Sequence, residues 1–277
     1  MSFEKRLNRI RRWVPAFAGM TAHVMSKKIL PELFSVSRKA GQAIMDYKMI
    51  EEGDKIAVAV SGGKDSVSLM HVLRHRLQQS PVKFRVVAVH IDFELADFNP
   101  AELAAYLEKE GFEHHVVKVG GLKGEKREEM DCYRWSAHRR KALFELCKTD
   151  GYTKIAFGHH MDDIVETILL NQFFRGEIGA MKPKQHLFGG TIKLIRPLAY
   201  VREESMRQLA TALGIDGMGQ SKCSYDDVSR RAQIKQMLKQ LESINGAVVK
   251  NIFNSLKNVQ TEYLLDPETG GDDSMDR

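Results

Sequence analysis

Cysteine is scarce in this sequence of 277 residues, which holds only three, Cys132, Cys147 and Cys223. A small, odd number of cysteines argues against a secreted disulfide framework and favours a reducing cytoplasm as the location. Long apolar runs are missing as well: none reaches the roughly 18 residues of a membrane span, so no membrane partner is expected. A strong charge of one sign is also lacking, because the net charge of +6 permits a polyanionic partner without requiring one.

The two ends of the chain lack the periodic patterns of helices and strands. Residues 1–24 hold five basic residues against one glutamate and precede Met25, which reads as a second start. We interpret them as an upstream extension, with an arginine-rich targeting peptide as the alternative. Residues 259–277 are expected to form a disordered acidic tail. The rest, residues 25–258, is predicted to be one main domain.

Two common nucleotide-binding fingerprints, the P-loop and Gly-x-Gly-x-x-Gly, do not fit the first chemical motif of the chain. That motif is Ser-Gly-Gly-Lys-Asp-Ser at residues 61–66, between a strand-like run at 55–60 and a helix-like run at 67–73. Two adjacent glycines allow a sharp turn in which backbone N–H groups face one point, and the following helix dipole adds positive potential. Lys64 adds a full charge. The motif therefore predicts a phosphate-binding turn, whereas a plain strand-to-helix turn would not need these side chains.

Strand-like and helix-like segments alternate along the first 157 residues. Strands are predicted over residues 55–60, 84–92, 113–119 and 154–157, and helices over 33–49, 67–73, 100–110 and 139–149. This alternation predicts an α/β fold, a parallel sheet with helices on both faces. Ligands of such sheets bind at the carboxyl ends of the strands, where residues 61–66, 90–92 and 158–160 fall. Later helices are predicted over residues 164–174, 203–213, 227–241 and 247–256.

A second motif, Gly-His-His-Met-Asp-Asp, occupies residues 158–163. One interpretation is structural: Asp163 and Glu166 have the spacing of a capping box at the start of the helix at 164–174. Another is a divalent metal site built from His160, Asp162 and Asp163. Hard ions prefer oxygen ligands, and two adjacent aspartates more often cap a helix or bind a nucleotide-bound Mg²⁺. A dedicated metal site is therefore the weaker interpretation.

The first motif resembles the signature of the PP-loop ATP pyrophosphatases, and the second is similar to a motif of the branch that modifies tRNA. The similarity continues through residues 166–171, 181–184 and 195–200, and over residues 33–241 the chain most resembles the tRNA 2-thiocytidine synthetase group. The resemblance implies a Rossmann-like fold of the HUP, or adenine nucleotide alpha hydrolase-like, type. It also implies ATP and Mg²⁺ as cofactors, and tRNA and a sulfur donor, such as a cysteine desulfurase, as partners. A homodimer is left open.

The resemblance also implies site residues in this chain. Lys64 and Ser66 are expected on phosphate oxygens, Asp65 is expected to orient the turn or the metal, and Lys64 and Asp65 are expected to be catalytic together with Cys132 and Cys223. The full set expected around ATP is Val60, Ser61, Gly62, Gly63, Lys64, Asp65, Ser66, Ile91, Gly158 and Asp163.

The cysteines depart from the pattern that the resemblance implies. Members that thiolate cytidine hold a 4Fe-4S cluster with a Cys-x-x-Cys pair and a third cysteine; Cys132 and Cys223 match the first and third, but Trp135 stands in the second place. Tryptophan cannot ligate iron, which puts the cluster in doubt. Cys147 or His138 could substitute, although each has a plainer structural interpretation. Alternatively, Cys132 and Cys223 act without a cluster as persulfide carrier and resolving thiol, or the scaffold serves another reaction.

Four arginines, Arg139, Arg140, Arg230 and Arg231, flank the two matching cysteines in sequence. They are either RNA phosphate contacts or solvated helix surface, and the resemblance favours RNA. The function expected is that of an ATP-dependent tRNA-modifying enzyme that adenylates a base, with the cytidine C2 oxygen favoured, and replaces oxygen with sulfur. The alternatives are an enzyme that uses an amine nucleophile, as lysidine synthetases do, and an ATP- or RNA-binding homologue that has lost thiolation.

Overall fold

The structure, a computed structural model, describes residues 30–93, 100–119, 132–215 and 230–265, and of residues 132–136 it describes the backbone alone. The predicted extension at residues 1–24, Cys223 and residues 266–277 of the predicted tail lie outside the described residues. Within these ranges six strands form one sheet in the order β3-β2-β1-β4-β6-β5. They are β1 (Lys55–Ala59), β2 (Arg85–Asp92), β3 (His114–Lys118), β4 (Lys154–Ala156), β5 (Lys184–Leu187) and β6 (Ile192–Ile195).

Eight α-helices accompany the sheet in the described ranges. They are α1 (Pro31–Asp46), α2 (Lys64–Gln79), α3 (Pro100–Lys109), α4 (Cys132–Thr149), α5 (Met161–Arg175), α6 (Glu203–Leu213), α7 (Arg230–Ile244) and α8 (Val248–Ser255). Short 3-10 helices at Phe188–Gly190 and Thr261–Tyr263 complete the list. None of these helices is long and apolar enough to cross a membrane.

Helices cover both faces of the sheet, which confirms the predicted fold class. Successive residues of a strand point to opposite faces. Ile56 and Val58 belong to the core that β1 shares with α1, α2, α3 and α6, whereas Ala57 between them belongs to the core that the sheet shares with α4. All three side chains are fully buried, which is why β1 reads as an unbroken apolar run. A third cluster joins α5, α7 and α8 beside the sheet.

The strand order reverses between β1 and β4. From β1 the chain moves outward to β2 and β3, then returns so that β4 pairs with the other side of β1, with Ala57 opposite Ile155. In doubly wound folds such a reversal opens a crevice at the carboxyl ends of the two strands. The segments that follow β1 and β4 are the two motifs of the sequence, residues 61–66 and 158–163.

Three features differ from the sequence-based expectations. The sheet is not wholly parallel, because the edge strand β5 runs antiparallel to β6. Neither strand of this hairpin was predicted. Helix α4 begins at Cys132 rather than at residue 139. Helix α7 begins at Arg230 and runs three residues past the predicted end, to Ile244, while residues 227–229 lie outside the described part of the chain.

A buried ion cluster lies at the amino end of β4. Lys154 is fully buried, and its ammonium group contacts the carboxylate of Asp54 and, at 3.1 Å, Oε2 of Glu51. The hydroxyl of Thr153 donates to the other oxygen of Asp54 at 2.8 Å. Hydrogen bonds from Lys193 and Lys154 lower the pKa of Glu51 to about 2. Since β4 and the loop before β1 supply the partners, the cluster fixes the pairing of these two strands at the edge opposite the motifs.

Candidate active site

The turn after β1 forms a cradle at the start of α2. Gly62 has a φ of 89°, in the left-handed region that favours glycine, and Gly63 is the N-cap of α2 without a side chain to cap it. The first N–H groups of a helix have no partner within the helix and carry the positive end of its dipole. The turn and the start of α2 therefore have the backbone conformation and the dipole that the motif predicts for a phosphate site.

The two serines of the first motif hold the shape of the cradle. The backbone N–H of Ser61 donates to the Ser66 hydroxyl at 3.2 Å, and that hydroxyl donates to the carbonyl of Gly63 at 2.8 Å. The two hydroxyl oxygens lie 3.3 Å apart. Ser66 is expected on a phosphate oxygen, and in this structure its hydroxyl cross-links the turn.

Lys64 and Asp65 form an ion pair at the mouth of the cradle. Lys64 Nζ lies 2.9 Å from Asp65 Oδ2, and both side chains are about a quarter exposed. The second carboxylate oxygen, Asp65 Oδ1, is buried without a hydrogen-bond partner among the described residues. A buried acceptor is normally satisfied, so this oxygen is suited to a cation or donor brought by a ligand.

Gly158 joins the second motif to the cradle by direct backbone contact. A Cβ placed on Gly158 would lie 3.0 Å from the carbonyl carbon and oxygen of Asp65 and from the amide nitrogen of Ser66. Such distances are shorter than ordinary van der Waals contact, and the atoms involved are backbone atoms that cannot rotate away. Only a residue without a Cβ allows the end of β4 to approach the turn this closely.

His90 supports the cradle from the next strand. The ring is 6% exposed, and burial lowers its pKa, so the imidazole is neutral. Its Nδ1 lies 2.8 Å from the carbonyl oxygen of Val60 and donates to it. The following residue, Ile91, is buried at the same edge. The expected site residues Val60 and Ile91 thus lie at the carboxyl ends of adjacent strands.

The start of α5 differs from the predicted capping box. The N-cap is His160, whose Nδ1 accepts from the Asp163 N–H at 3.4 Å, while Asp163 Oδ2 accepts from the His160 N–H at 2.9 Å. The predicted pairing of Asp163 with Glu166 is wrong, because α5 begins at Met161, three residues before the predicted start. Burial alone would raise the pKa of Asp163, but His160, His159 and Arg231 outweigh it and the pKa is lowered. Asp163 is therefore a carboxylate beside the cradle.

The two adjacent aspartates have different tasks. Asp162 accepts from the backbone N–H of Glu203 at 2.7 Å and from Arg202 Nε at 3.1 Å. Arg202 in turn contacts Glu242 Oε1 at 2.7 Å. Asp162 therefore ties α5 to the start of α6 and to α7, whereas Asp163 caps α5 together with His160. No group of three or more His, Cys, Asp or Glu side chains suited to a metal occurs among the described residues.

Arg231 connects α7 to the first turns of α5. Its Nη1 lies 3.3 Å from Asp163 Oδ1 and 3.4 Å from Glu166 Oε2, and its Nη2 lies 3.5 Å from the Thr167 hydroxyl. Glu166 is 3% exposed, and burial raises its pKa to about 7. Arg231 was predicted as an RNA contact; the structure places it in ion pairs within the protein. Arg230, predicted with it, is exposed and lies over the ring of Phe174 at 4.7 Å.

The cysteines do not supply a third thiolate ligand. Cys147 is 1% exposed in the core beneath α4, and burial raises the pKa of its thiol to about 12. It is a small apolar core residue and not a substitute ligand. His138 is exposed on the same helix. Cys132 is the first residue of α4, and Cys223 lies outside the described residues.

A basic cavity adjoins the second motif on the α4 side of the sheet. Its volume is about 650 Å³, and two of the predicted RNA contacts, the half-buried Arg139 and the exposed Arg140, line it. Two lining residues, His159 and Arg196, were not assigned a role from the sequence. Arg196 is the first residue after β6 and His159 the third after β4, and these positions at the carboxyl ends of strands are the signal that could have identified them.

Known proteins that are similar to this chain indicate its family and its fold. The PP-loop domain family matches residues 33–241. The tRNA-cytidine(32) 2-sulfurtransferase of Geobacter metallireducens is 40% identical over 239 residues, covering 84% of this chain and 93% of that protein. The protein of the same name from Pseudomonas syringae pv. syringae is 38% identical over 233 residues, covering 83% and 85%. Among solved structures, the U34-tRNA thiolase NcsA from Methanococcus maripaludis with its 4Fe-4S cluster is similar in fold, with a TM-score of 0.67 at 20% identity over 84% of this chain and 80% of that chain.

Proposed function

The chain belongs to the PP-loop domain family, and on that premise we propose that it is an ATP-dependent tRNA sulfurtransferase that thiolates cytidine. The observation that carries the proposal is the 40% identity, over 84% of the chain, to a tRNA-cytidine(32) 2-sulfurtransferase. The geometry supports it, because the two motifs meet at Gly158 beside a cavity lined with arginines. By this analogy the substrate base is cytidine 32 of a tRNA, and the C2 oxygen is the atom replaced.

ATP would lie at the cradle, and its role is to convert the C2 oxygen into an adenylate, a good leaving group. The backbone donors at the start of α2 and the Lys64 ammonium would hold phosphate oxygens and stabilise charge on the departing pyrophosphate. Asp65 Oδ1, the buried oxygen without a partner, fits a Mg²⁺ ion carried by the phosphates. Gly158 and Asp163 would form the opposite wall, beside the nucleotide.

The cysteines of this chain do not fit a cluster held by three thiolates. Trp135 occupies one ligand position and Cys147 is buried in the core, which leaves Cys132 and Cys223. We therefore propose a route without a cluster. A partner loads a sulfur atom onto one of these cysteines as a persulfide, the terminal sulfur attacks C2, and AMP leaves. The second thiol then attacks the inner sulfur, which frees the thiolated base and leaves a Cys132–Cys223 disulfide for an external thiol to reduce.

Replacing Lys64 with alanine tests the proposed function. The expected result is a loss of at least about 100-fold in kcat, the usual effect of removing one group that stabilises developing charge. The measurement is pyrophosphate release by the purified protein with tRNA, combined with mass spectrometry of that tRNA for the exchange of oxygen for sulfur. A lysine adduct would instead identify an amine nucleophile. Full activity of the Lys64→Ala variant would contradict the assignment of the cradle.

A further inference from the structure

The cavity beside the second motif has the composition of an anion site. It lies between α4 and the β6–β5 side of the sheet, and one carboxylate, Glu145, faces a larger set of cations. Three phenylalanines add apolar surface. The basic residues in the lining are Arg139, Arg140, Lys141, Lys148 and Arg196. Such a combination of cations and aromatic rings suits a phosphate that carries a base or a ribose.

Arg196 is held rigidly at the end of this cavity that lies next to the carboxyl ends of β4 and β6. It is 6% exposed, its backbone N–H donates to the carbonyl of Pro183 at 2.8 Å, and its Nη1 donates to the carbonyl of Lys182. Its Nε is buried without a hydrogen-bond partner in the described part of the chain. Burial, followed by the positive charge of Arg140, lowers the pKa of Arg196 to about 10. A buried guanidinium with an unused donor and a second cation nearby is a site that an anion would stabilise.

His159 connects this end of the cavity to the cradle. Its ring stacks on Phe157 at a centroid distance of 5.6 Å, and its Nδ1 is buried without a hydrogen-bond partner among the described residues. Burial lowers its pKa to about 4, so the ring is neutral at neutral pH and can donate or accept one hydrogen bond. The residue before it, Gly158, touches the cradle backbone. Because β4 and β6 are parallel neighbours, His159 and Arg196 follow strand ends at the same edge.

We propose that Arg196, Arg140 and His159 form a subsite for an RNA backbone phosphate next to the nucleotide that is modified. Arg196 Nε and the Arg140 guanidinium would bind the phosphate, and the His159 ring would donate to it. The phosphates of ATP have their own place at the cradle after β1, whereas this subsite lies beyond β4. An RNA chain bound here would place its adjoining base near the cradle, because His159 directly follows Gly158 and Gly158 lies against the cradle backbone. The inference rests on the proposed function, because the ligand is that enzyme's tRNA.

Two variants test the subsite. Arg140 is exposed, so Arg140→Ala should fold normally, while Arg196→Lys keeps the charge but loses Nε. Both are expected to raise KM for tRNA about tenfold, the scale of one charge-assisted hydrogen bond, without changing KM for ATP. Arg140→Ala should also reduce the slope of log Kd for tRNA against log salt by about one unit or slightly less.

Lys148→Ala is the matched control, because it removes one positive charge from the opposite end of the same cavity, where Lys148 lies 4.3 Å from the ring of Phe188. An equal rise of the tRNA KM in this control would reduce the effect to general electrostatics and overturn the subsite. A change in KM for ATP or in inhibition by pyrophosphate, with no change for tRNA, would assign the anion to the nucleotide and also overturn it. Wild-type protein that releases no pyrophosphate with tRNA would refute the proposed function itself, whereas active variants that match wild type would refute only the subsite.

Discussion

Replacing Gly158 with alanine would measure how closely the two motifs must approach. The added methyl group would lie 3.0 Å from three backbone atoms of Asp65 and Ser66, so β4 and the cradle must separate by a few tenths of an ångström. Overpacking of this kind costs about 1–3 kcal/mol. For a chain of this size each kcal/mol lowers Tm by about 2–4 °C, so a fall of several degrees is expected. A misplacement of about 1 Å can reduce a rate 100-fold, and the smaller shift here should reduce kcat about tenfold.

The control is Gly246→Ala, since a Cβ at Gly246 meets nothing within 4 Å. It makes the same chemical change in open space and should leave kcat and Tm close to wild type. The assays are calorimetry for Tm and pyrophosphate release for kcat, both on the full chain. If Gly158→Ala and Gly246→Ala behave alike, the two motifs do not depend on backbone contact and the reasoning fails.

Four further predictions concern ionisable groups, Cys147 and the iron content. Burial raises the pKa of Glu166 from 4.5 to about 7, so the folded protein should lose stability as pH rises across this interval, and Glu166→Gln should flatten the profile in urea unfolding. Asp54→Ala should cost about 3–5 kcal/mol in the same assay because it leaves the buried Lys154 ammonium without its main partner. The half-exposed Glu51, changed to alanine, should cost under about 1 kcal/mol, and equal losses would contradict this ranking. Cys147→Ala should keep full activity in the pyrophosphate-release assay. Protein purified without oxygen should contain little iron, and stoichiometric iron and sulfide would contradict the proposed route without a cluster.

The sequence predicted the centre of the fold better than its edge. Helix α6 begins and ends where its apolar period does, and β1 was visible as a continuous apolar run. Strand β5 escaped prediction because its four residues are mostly polar and partly exposed, and β6 is equally short. The first part of α4 lacks an apolar period, so the helix was predicted to begin seven residues late. Short or polar elements depend on neighbours that a local pattern does not contain.

The candidate site, like the fold, could be predicted from the sequence only in part. Both motifs and their meeting at one edge were predictable, since parallel strands place their carboxyl ends together. The contacts of Arg196 were not, because its partners, the carbonyls of Lys182 and Pro183, lie 14 and 13 positions earlier, beyond the reach of a local pattern. The same holds for Arg231, whose partners lie on α5, 64 to 68 positions away. The sequence shows the charge of an arginine but not the group that its side chain contacts.

The reversal of strand order gives the nascent chain a late decisive step. Residues 56 and 154 pair in the sheet, so β1 has one open side until about 100 further residues have left the ribosome. During that interval Asp54 lacks its ion-pair partner Lys154, and the cradle lacks the wall that Gly158 provides. Pairings between distant segments form slowly because loop closure must come first. Arrival of β4 therefore fills the open side of β1 and supplies the wall of the cradle together, before β6 and β5 extend the sheet, and a truncated chain that ends before β4 should be unable to hold ATP.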